Sequence, residues 1–198
     1  MSDACLAFDN SSRDFRATEP SVPIPLRIKT DTDAVAHRDH LFVPDKGEFK
    51  VGLNSWEVAV LAAARTGSGF AGWLRNYPRK PWSIAYTYIN KEGQTAPGYP
   101  DIVVYRQEGG HIVVDLLEPH HTDNADSLAK LKGLARFAEQ HGDRFGHLEW
   151  IKVEGGRIKR LNVNSRQVRD RALATHGDGA IDTLFDQVGT SEEAPQGG

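Results

Sequence analysis

Cysteine is nearly absent from this chain: Cys5 is the one example in 198 residues. That excludes an internal disulfide and any zinc site built on thiolates, and it suits a reducing compartment. No apolar run approaches the roughly 18 residues a membrane helix needs, and Met1 to Asp9 has neither the basic start nor the apolar stretch of a secretory signal. With 26% charged residues and a formal net charge of −3, the chain reads as soluble and cytoplasmic, with no membrane partner. Neither a G-x-x-x-x-G-K-[ST] phosphate loop nor a G-x-S-x-G nucleophile turn occurs, so no ATP site and no serine-hydrolase chemistry is expected. At 39% hydrophobic residues the chain can bury one core. Residues 51–176 are expected to form it. Residues 1–50, with Pro20, Pro23 and Pro25, read as a partly irregular lead-in, and 177–198 as a weak helix followed by a disordered tail.

Negative charge is missing locally as well. From Val58 to Lys91 there is no Asp or Glu, while Arg65, Arg75, Arg79, Lys80 and Lys91 lie among Phe70, Trp73, Tyr77, Trp82, Tyr86 and Tyr88. Cations interleaved with aromatics neutralise phosphates and stack on bases, which points to nucleic acid; the plain alternative is aromatic core with a solvated basic rim. A second basic run, Arg157, Lys159, Arg160, Arg166, Arg169 and Arg171, is read as a solvated face.

Hydrophobic periodicity and punctuation order the elements. Asn54 or Ser55 caps a helix through Ala64 that Gly67 and Gly69 end, and a short helical turn covers Phe70 to Leu74. Trp82 to Ile89 alternates like a strand, a turn spans Asn90 to Gly98, and Ile102–Tyr105 and Ile112–Leu117 form a hairpin about Gly109–Gly110. Pro119 stops the last of these strands. Asp123 or Asn124 opens a helix with the buried stripe Leu128, Leu131, Leu134, Ala135 and Ala138, and Gly142 closes it. A hairpin about Gly155–Gly156 and helices from Ser165 and Ala180 follow. The fold class is α/β, a mixed central sheet flanked by helices.

Chemistry concentrates at the strand ends. Tyr99-Pro100-Asp101 opens one strand, and His111 to Glu118-Pro119-His120 carries Asp115 and Glu118 on the next. Antiparallel pairing is expected to bring Asp101 and Asp115 to one divalent cation, which would acidify a water and stabilise a leaving oxygen in phosphodiester hydrolysis. Because side chains alternate, Asp115 and Glu118 face opposite sides unless a bulge re-aims one. His120, with His121, is a base or metal ligand. Lys130, on the following helix, either swings into the site or pairs with Asp126, and Lys132 is the poorer candidate. The cluster His120, His121, Asp123 and Asp126 is an alternative Zn²⁺ or Mn²⁺ site, without the helical His spacing that would make it specific.

The segment Trp73-Leu74-Arg75-Asn76, an aromatic strand, Tyr99-Pro100-Asp101, a hairpin, an acidic strand end and a Lys-bearing helix, in that order over Asn54 to Val163, resemble the nuclease domain of PD-(D/E)xK enzymes. Among these they are most similar to the C-terminal part of type III restriction subunits and DEAD/DEAH-type helicases. The resemblance implies a restriction-endonuclease-like core and a Mg²⁺- or Mn²⁺-dependent DNA cleavage site. Asp101, Asp115 and Glu57 would hold the metal; Glu118, His120 and Lys130 would complete it; Arg75, Asn76, Arg79 and Lys80 would hold DNA. A helicase motor or modification subunit would be the partner, and this chain a detached or truncated part. One departure is plain: counted from Asp115, Leu117 stands where the family has Lys, and counted from Glu118 that place holds His120. The resemblance therefore also admits a decayed site serving DNA binding or protein docking.

Overall fold

The computed structural model describes residues 28, 33–42, 48–122 and 125–195. In the lead-in, β1 (Ala36–His37) pairs antiparallel with β2 (Phe49–Lys50). Asn54 then caps α1 (Ser55–Thr66): its side chain accepts the N–H groups of Trp56 and Glu57, while the Glu57 carboxylate accepts the Asn54 N–H, a reciprocal capping box. Past Gly67 comes β3 (Phe70–Arg75), where a helical turn was expected. The segment is too short to propagate a helix. Pairing with a neighbouring strand fixes it as strand instead, with Trp73 on one sheet face and Leu74 on the other.

The aromatic segment also departs from expectation. Only Tyr86–Ile89 is strand, β4, and it pairs with β5 (Thr95–Gly98), read above as turn, in a separate two-stranded sheet. Trp82 to Ala85 form a loop instead, tied to the end of β3 by Asn76. The Asn76 side chain donates to the carbonyls of Ile84 and Pro100 at 2.7 and 2.8 Å and accepts the Ile84 N–H.

Next come β6 (Ile102–Glu108), β7 (His111–Pro119), α2 (Ser127–His141), β8 (Leu148–Glu154) and β9 (Arg157–Asn162). Then follow α3 (Arg166–Ala174), α4 (Ala180–Val188) and β10 (Thr190–Glu193). The central sheet has six strands in the order β10-β9-β8-β7-β6-β3. It is mixed: β3, β6 and β7 form an antiparallel meander, α2 crosses over, and β8 joins β7 in parallel. The expected α/β architecture, a mixed sheet flanked by helices, is therefore present.

Alternation along the strands makes two cores. Trp73, Ile102, Val104, Leu117, Ile151 and Ile158 pack with Val60 and Leu61 of α1. Leu74, Val103, Leu116, Leu148, Trp150 and Leu161 pack with α2, α3 and α4. Leu117, which looked like a defect in a metal site, is a core residue on the α1 face.

Both chain ends contribute more than composition suggested. The stretch about His40 lies along the outer edge of β3, with Leu41 N–H donating to Trp73 O and Trp73 N–H to Asp39 O, which covers that open edge. Thr190–Glu193, which takes in the start of the tail expected to be disordered from Ser191, pairs with β9 and covers the other edge. The second basic run is consumed here: Arg160 binds Glu149 and Glu192, Lys159 binds Glu154 and Asp186, and Arg171 binds Gln187. The expected helix opening at Asp123 or Asn124 lies outside the described residues; Asp126 takes the N-cap position of α2 without a side-chain cap bond.

Tyr86 is wedged between Gly98 and Gly133. A Cβ on Gly133 would fall 2.5 Å from the Thr87 carbonyl and 3.1 Å from the Tyr86 ring. Gly133→Ala is therefore expected to push the small sheet off α2 and cost about 1–3 kcal/mol, read as a lower urea midpoint at unchanged m-value. Gly93→Ala, which meets no neighbour but sits at a positive φ, serves as the comparison for pure backbone strain.

Candidate functional site

The register of β6 and β7 decides which acids meet. Ile102 stands opposite Leu117 and Val104 opposite Asp115, so Asp101 lies across from Glu118 at the end of the ladder. Asp115 is three ladder positions away, about 10 Å along the strand, and on the opposite face from Glu118, as alternation requires. The expected sharing of one ion by Asp101 and Asp115 therefore has no geometric basis. Glu118 and His120, two positions apart, fall on the same face, so the acid-x-His register is the one the fold builds.

Glu57 joins this end of the sheet from α1. Beyond its capping role, its Oε1 lies 2.5 Å from Arg75 Nη1, and Arg75 Nη2 lies 3.1 Å from Asp101 Oδ1. One guanidinium thus bridges two acids from different elements. Glu118 is 4% exposed, and burial pushes its carboxyl up to about 8 against the pull of Lys130 and Arg75. Burial and the neighbouring Glu118 likewise raise Asp101 to about 7, with Arg75 opposing. His120 moves the other way: burial and the Lys130 charge lower it to about 4. Its Nδ1 lies 3.4 Å from Glu118 Oε1. At neutral pH this is a neutral acid beside a neutral imidazole rather than an ion pair, since each group is held in its uncharged form.

Several buried polar atoms around this pair have no hydrogen-bond partner: Glu118 Oε2, His120 Nε2, Tyr86 Oη and Trp150 Nε1. Trp150 is paired with Glu118 across β7 and β8, and its ring centroid is 4.6 Å from that of His120. Tyr86 is held well above the usual phenol range by burial and by Glu118 and Asp101.

The remaining candidates divide. Lys130 leans over Tyr88, Nζ 5.9 Å from the ring centre, and its charge is felt by Glu118 and His120. It does not pair with Asp126, whose Oδ1 accepts the Lys91 N–H. Lys132 points to His176, 3.3 Å away. Arg75 is engaged by acids and Asn76 by the 76–84 loop, so neither is presented for DNA. Arg79 and Lys80 are exposed on that loop and make no ion pair among the described residues. In the alternative cluster His121 stacks on Trp56 at 4.0 Å, and Asp123 lies outside the described residues. Among the described residues no three His, Cys, Asp or Glu are arranged to hold a metal ion as they stand.

Asp115 belongs to a different cluster. Arg106 engages both its carboxylate oxygens, and the His147 backbone N–H and ring complete the set. Burial works against the charge, yet these hydrogen bonds hold Asp115 down at about 2. Sequence reasoning missed Arg106 and His147, which share no motif spacing with Asp115. It also missed His40, 2% exposed and stacked 3.9 Å from Phe49. His40 Nε2 faces the Arg75 N–H and Nδ1 the Phe42 N–H; a neutral imidazole accepts only one of these, and burial holds it neutral, at about 4.

Two outcomes follow. Asp101 and Glu118 bind protons more tightly folded than unfolded, so their contribution is full below about pH 4 and is lost as pH rises through about 7 and 8. Denaturant melts should show stability falling between pH 5 and 8.5, and Glu118→Gln should flatten that fall. Asp115→Asn should cost about 2–3 kcal/mol at neutral pH by leaving Arg106 half-paired, and the deficit should shrink as pH falls towards 2, measured by the same melts.

The whole site lies within the stretch, residues 38–193, that matches the model of the YagJ family. Protein YagJ of Escherichia coli (strain K12) is 33% identical over 157 residues, which cover 78% of this chain and 63% of that protein, so the chain spans less than two thirds of its relative's length. No solved structure matches. The chain belongs to the YagJ family.

Proposed function

We propose that this chain is a divalent-metal nuclease-fold domain that hydrolyses DNA phosphodiesters, with a restriction-endonuclease-like core. The observation that carries the reading is the placement of Asp101 at the start of β6 directly across from Glu118 at the end of β7, with Glu57 brought alongside by α1. The mixed central sheet, with α1 ahead of the β3-β6-β7 meander and α2 leading into parallel β8, supports it.

The donor chemistry suits Mg²⁺ or Mn²⁺: two carboxylates destabilised by their own burial, one with an unpartnered oxygen. Asp101 and Glu118 would hold the cation, which supplies a more acidic water and a neutralised leaving oxygen. Asp101 would have to exchange its contact with Arg75 for this role. Arg75 would stay paired with Glu57 and stand beside the site as a fixed positive charge. Lys130 offsets charge from the α2 side, and Arg79 and Lys80 contact the DNA backbone from a loop that Asn76 pins beside Pro100. A helicase motor or modification subunit would be supplied by another chain.

The second reading keeps the fold and drops the cut: a DNA-binding or protein-docking module. It is favoured by the guanidinium of Arg75 bridging Glu57 and Asp101 and by His120 where PD-(D/E)xK enzymes have Lys.

Supercoiled plasmid incubated with the purified chain and Mg²⁺ or Mn²⁺ should be nicked, and chelator should stop the reaction. Asp101→Ala should reduce the rate at least about 100-fold while leaving the thermal melt cooperative. A folded protein that nicks nothing with either metal, yet binds duplex with a salt-dependent affinity that Arg79→Ala/Lys80→Ala weakens, would sink the nuclease reading in favour of the second.

A further inference from the structure

The acid-x-His pair raises the question of which cation the site takes, and an answer rests on the metal reading just given. Glu118 and His120 project from the same face of β7 and bury their polar ends under Trp150 and Tyr86. Glu118 accepts a backbone hydrogen bond from Asp101, which engages only part of the carboxyl group. Glu118 Oε2 and His120 Nε2 have no partner, and the contact between the two side chains, 3.4 Å, is long for a hydrogen bond. The unpartnered Glu118 Oε2 alone costs about 1–3 kcal/mol, a penalty that a cation bound by this carboxylate would remove.

The same distance has a different meaning for a chelate. Two donors each about 2.1 Å from one ion in a tetrahedral arrangement stand about 3.4 Å apart. An ion between His120 Nδ1 and Glu118 Oε1 would meet both donors at this separation, with Glu118 Oε2 available to the same ion. Asp101, across the ladder, is the third donor once it leaves Arg75; while that contact persists only two donors converge, in keeping with the lack of a three-ligand arrangement among the described residues. An imidazole nitrogen discriminates among cations. Mg²⁺ takes oxygen donors, whereas Mn²⁺ and the later divalent ions accept nitrogen readily.

We propose that Glu118 and His120 chelate a nitrogen-accepting divalent cation, with Asp101 as the third ligand, so that the site selects Mn²⁺ or a later transition ion over Mg²⁺. His120 stands where the PD-(D/E)xK resemblance would place a lysine, and acts as a ligand rather than as a charge.

Calorimetric titration of the full chain with MnCl₂, ZnCl₂ and MgCl₂ reads this without any turnover. Wild type should bind Mn²⁺ about tenfold or more tighter than Mg²⁺. His120→Ala should bring the two to within about threefold, His120→Lys should favour neither, and Glu118→Gln should weaken all three ions. Cooperative thermal melts of each variant separate ligand loss from misfolding, and His120→Asn supplies a milder substitution if His120→Ala does not fold. Equal binding of Mg²⁺ and Mn²⁺ by wild type, a Mn²⁺ preference that survives loss of His120, or no binding of any ion would overturn the proposal. Plasmid nicking is scored separately: Mn²⁺ binding without cleavage would defeat the nuclease reading and leave the cation site standing, and Mg²⁺-supported cleavage without selectivity would do the reverse.

Discussion

Everything at the candidate site depends on one ladder, the antiparallel pairing of β6 and β7 with Ile102 opposite Leu117. A slip by one residue would reverse the face of every side chain on β7. Leu117 would then enter the polar cluster, and Glu118 and His120 would be driven into the core that Trp73, Ile102 and Ile151 form with α1. The register is held by apolar demand on both faces at once. Leu116 and Leu117 are each almost fully buried, one under α2 and one under α1. Packing, not the acids, places the acids.

The polar groups then live with what packing imposes. Asp101 and Glu118 are pushed up chiefly because burial penalises their charge, with Glu118 adding to the rise of Asp101 and Glu57 to that of Glu118, while Arg75 opposes both and Lys130 opposes the second. Asp115, no less covered, is pulled down because Arg106 and His147 donate directly to it. Two acids on one strand thus have opposite characters, and the difference lies in their partners rather than in their depth. A well-satisfied carboxylate such as Asp115 has the marks of a structural anchor, tying β6, β7 and the Gly146–His147 turn together. Glu118 and His120, by contrast, each keep one buried side-chain polar atom without a partner.

Much of the fold was legible in the sequence where local signals were strong. The Asn54 cap with Glu57 three residues on, the Gly109–Gly110 and Gly155–Gly156 hairpins, the apolar stripe of α2 and the stop at Pro119 all lie where residue chemistry puts them. The misses have a common cause. Phe70 to Leu74 reads as a helical turn and Trp82–Ile89 as a sheet strand because short aromatic segments carry no decisive period, and the sheet neighbour that chooses between them is remote in sequence. The tail strand Thr190–Glu193 is wholly exposed and polar, so only its pairing with β9 makes it a strand.

For the site, the sequence by itself determined the inventory: acids at two strand ends, an acid-x-His step at Glu118 to His120, a helix-borne Glu57 and a lysine on the next helix. Alternation also fixed that Asp115 and Glu118 cannot face the same way. Only the tertiary structure decided which acid stands by Asp101, that Arg75 bridges Glu57 and Asp101, and that Leu117 is core. Those are matters of register and of contacts between residues distant in the chain. They follow from how two hydrophobic faces are filled together, and no local pattern encodes that.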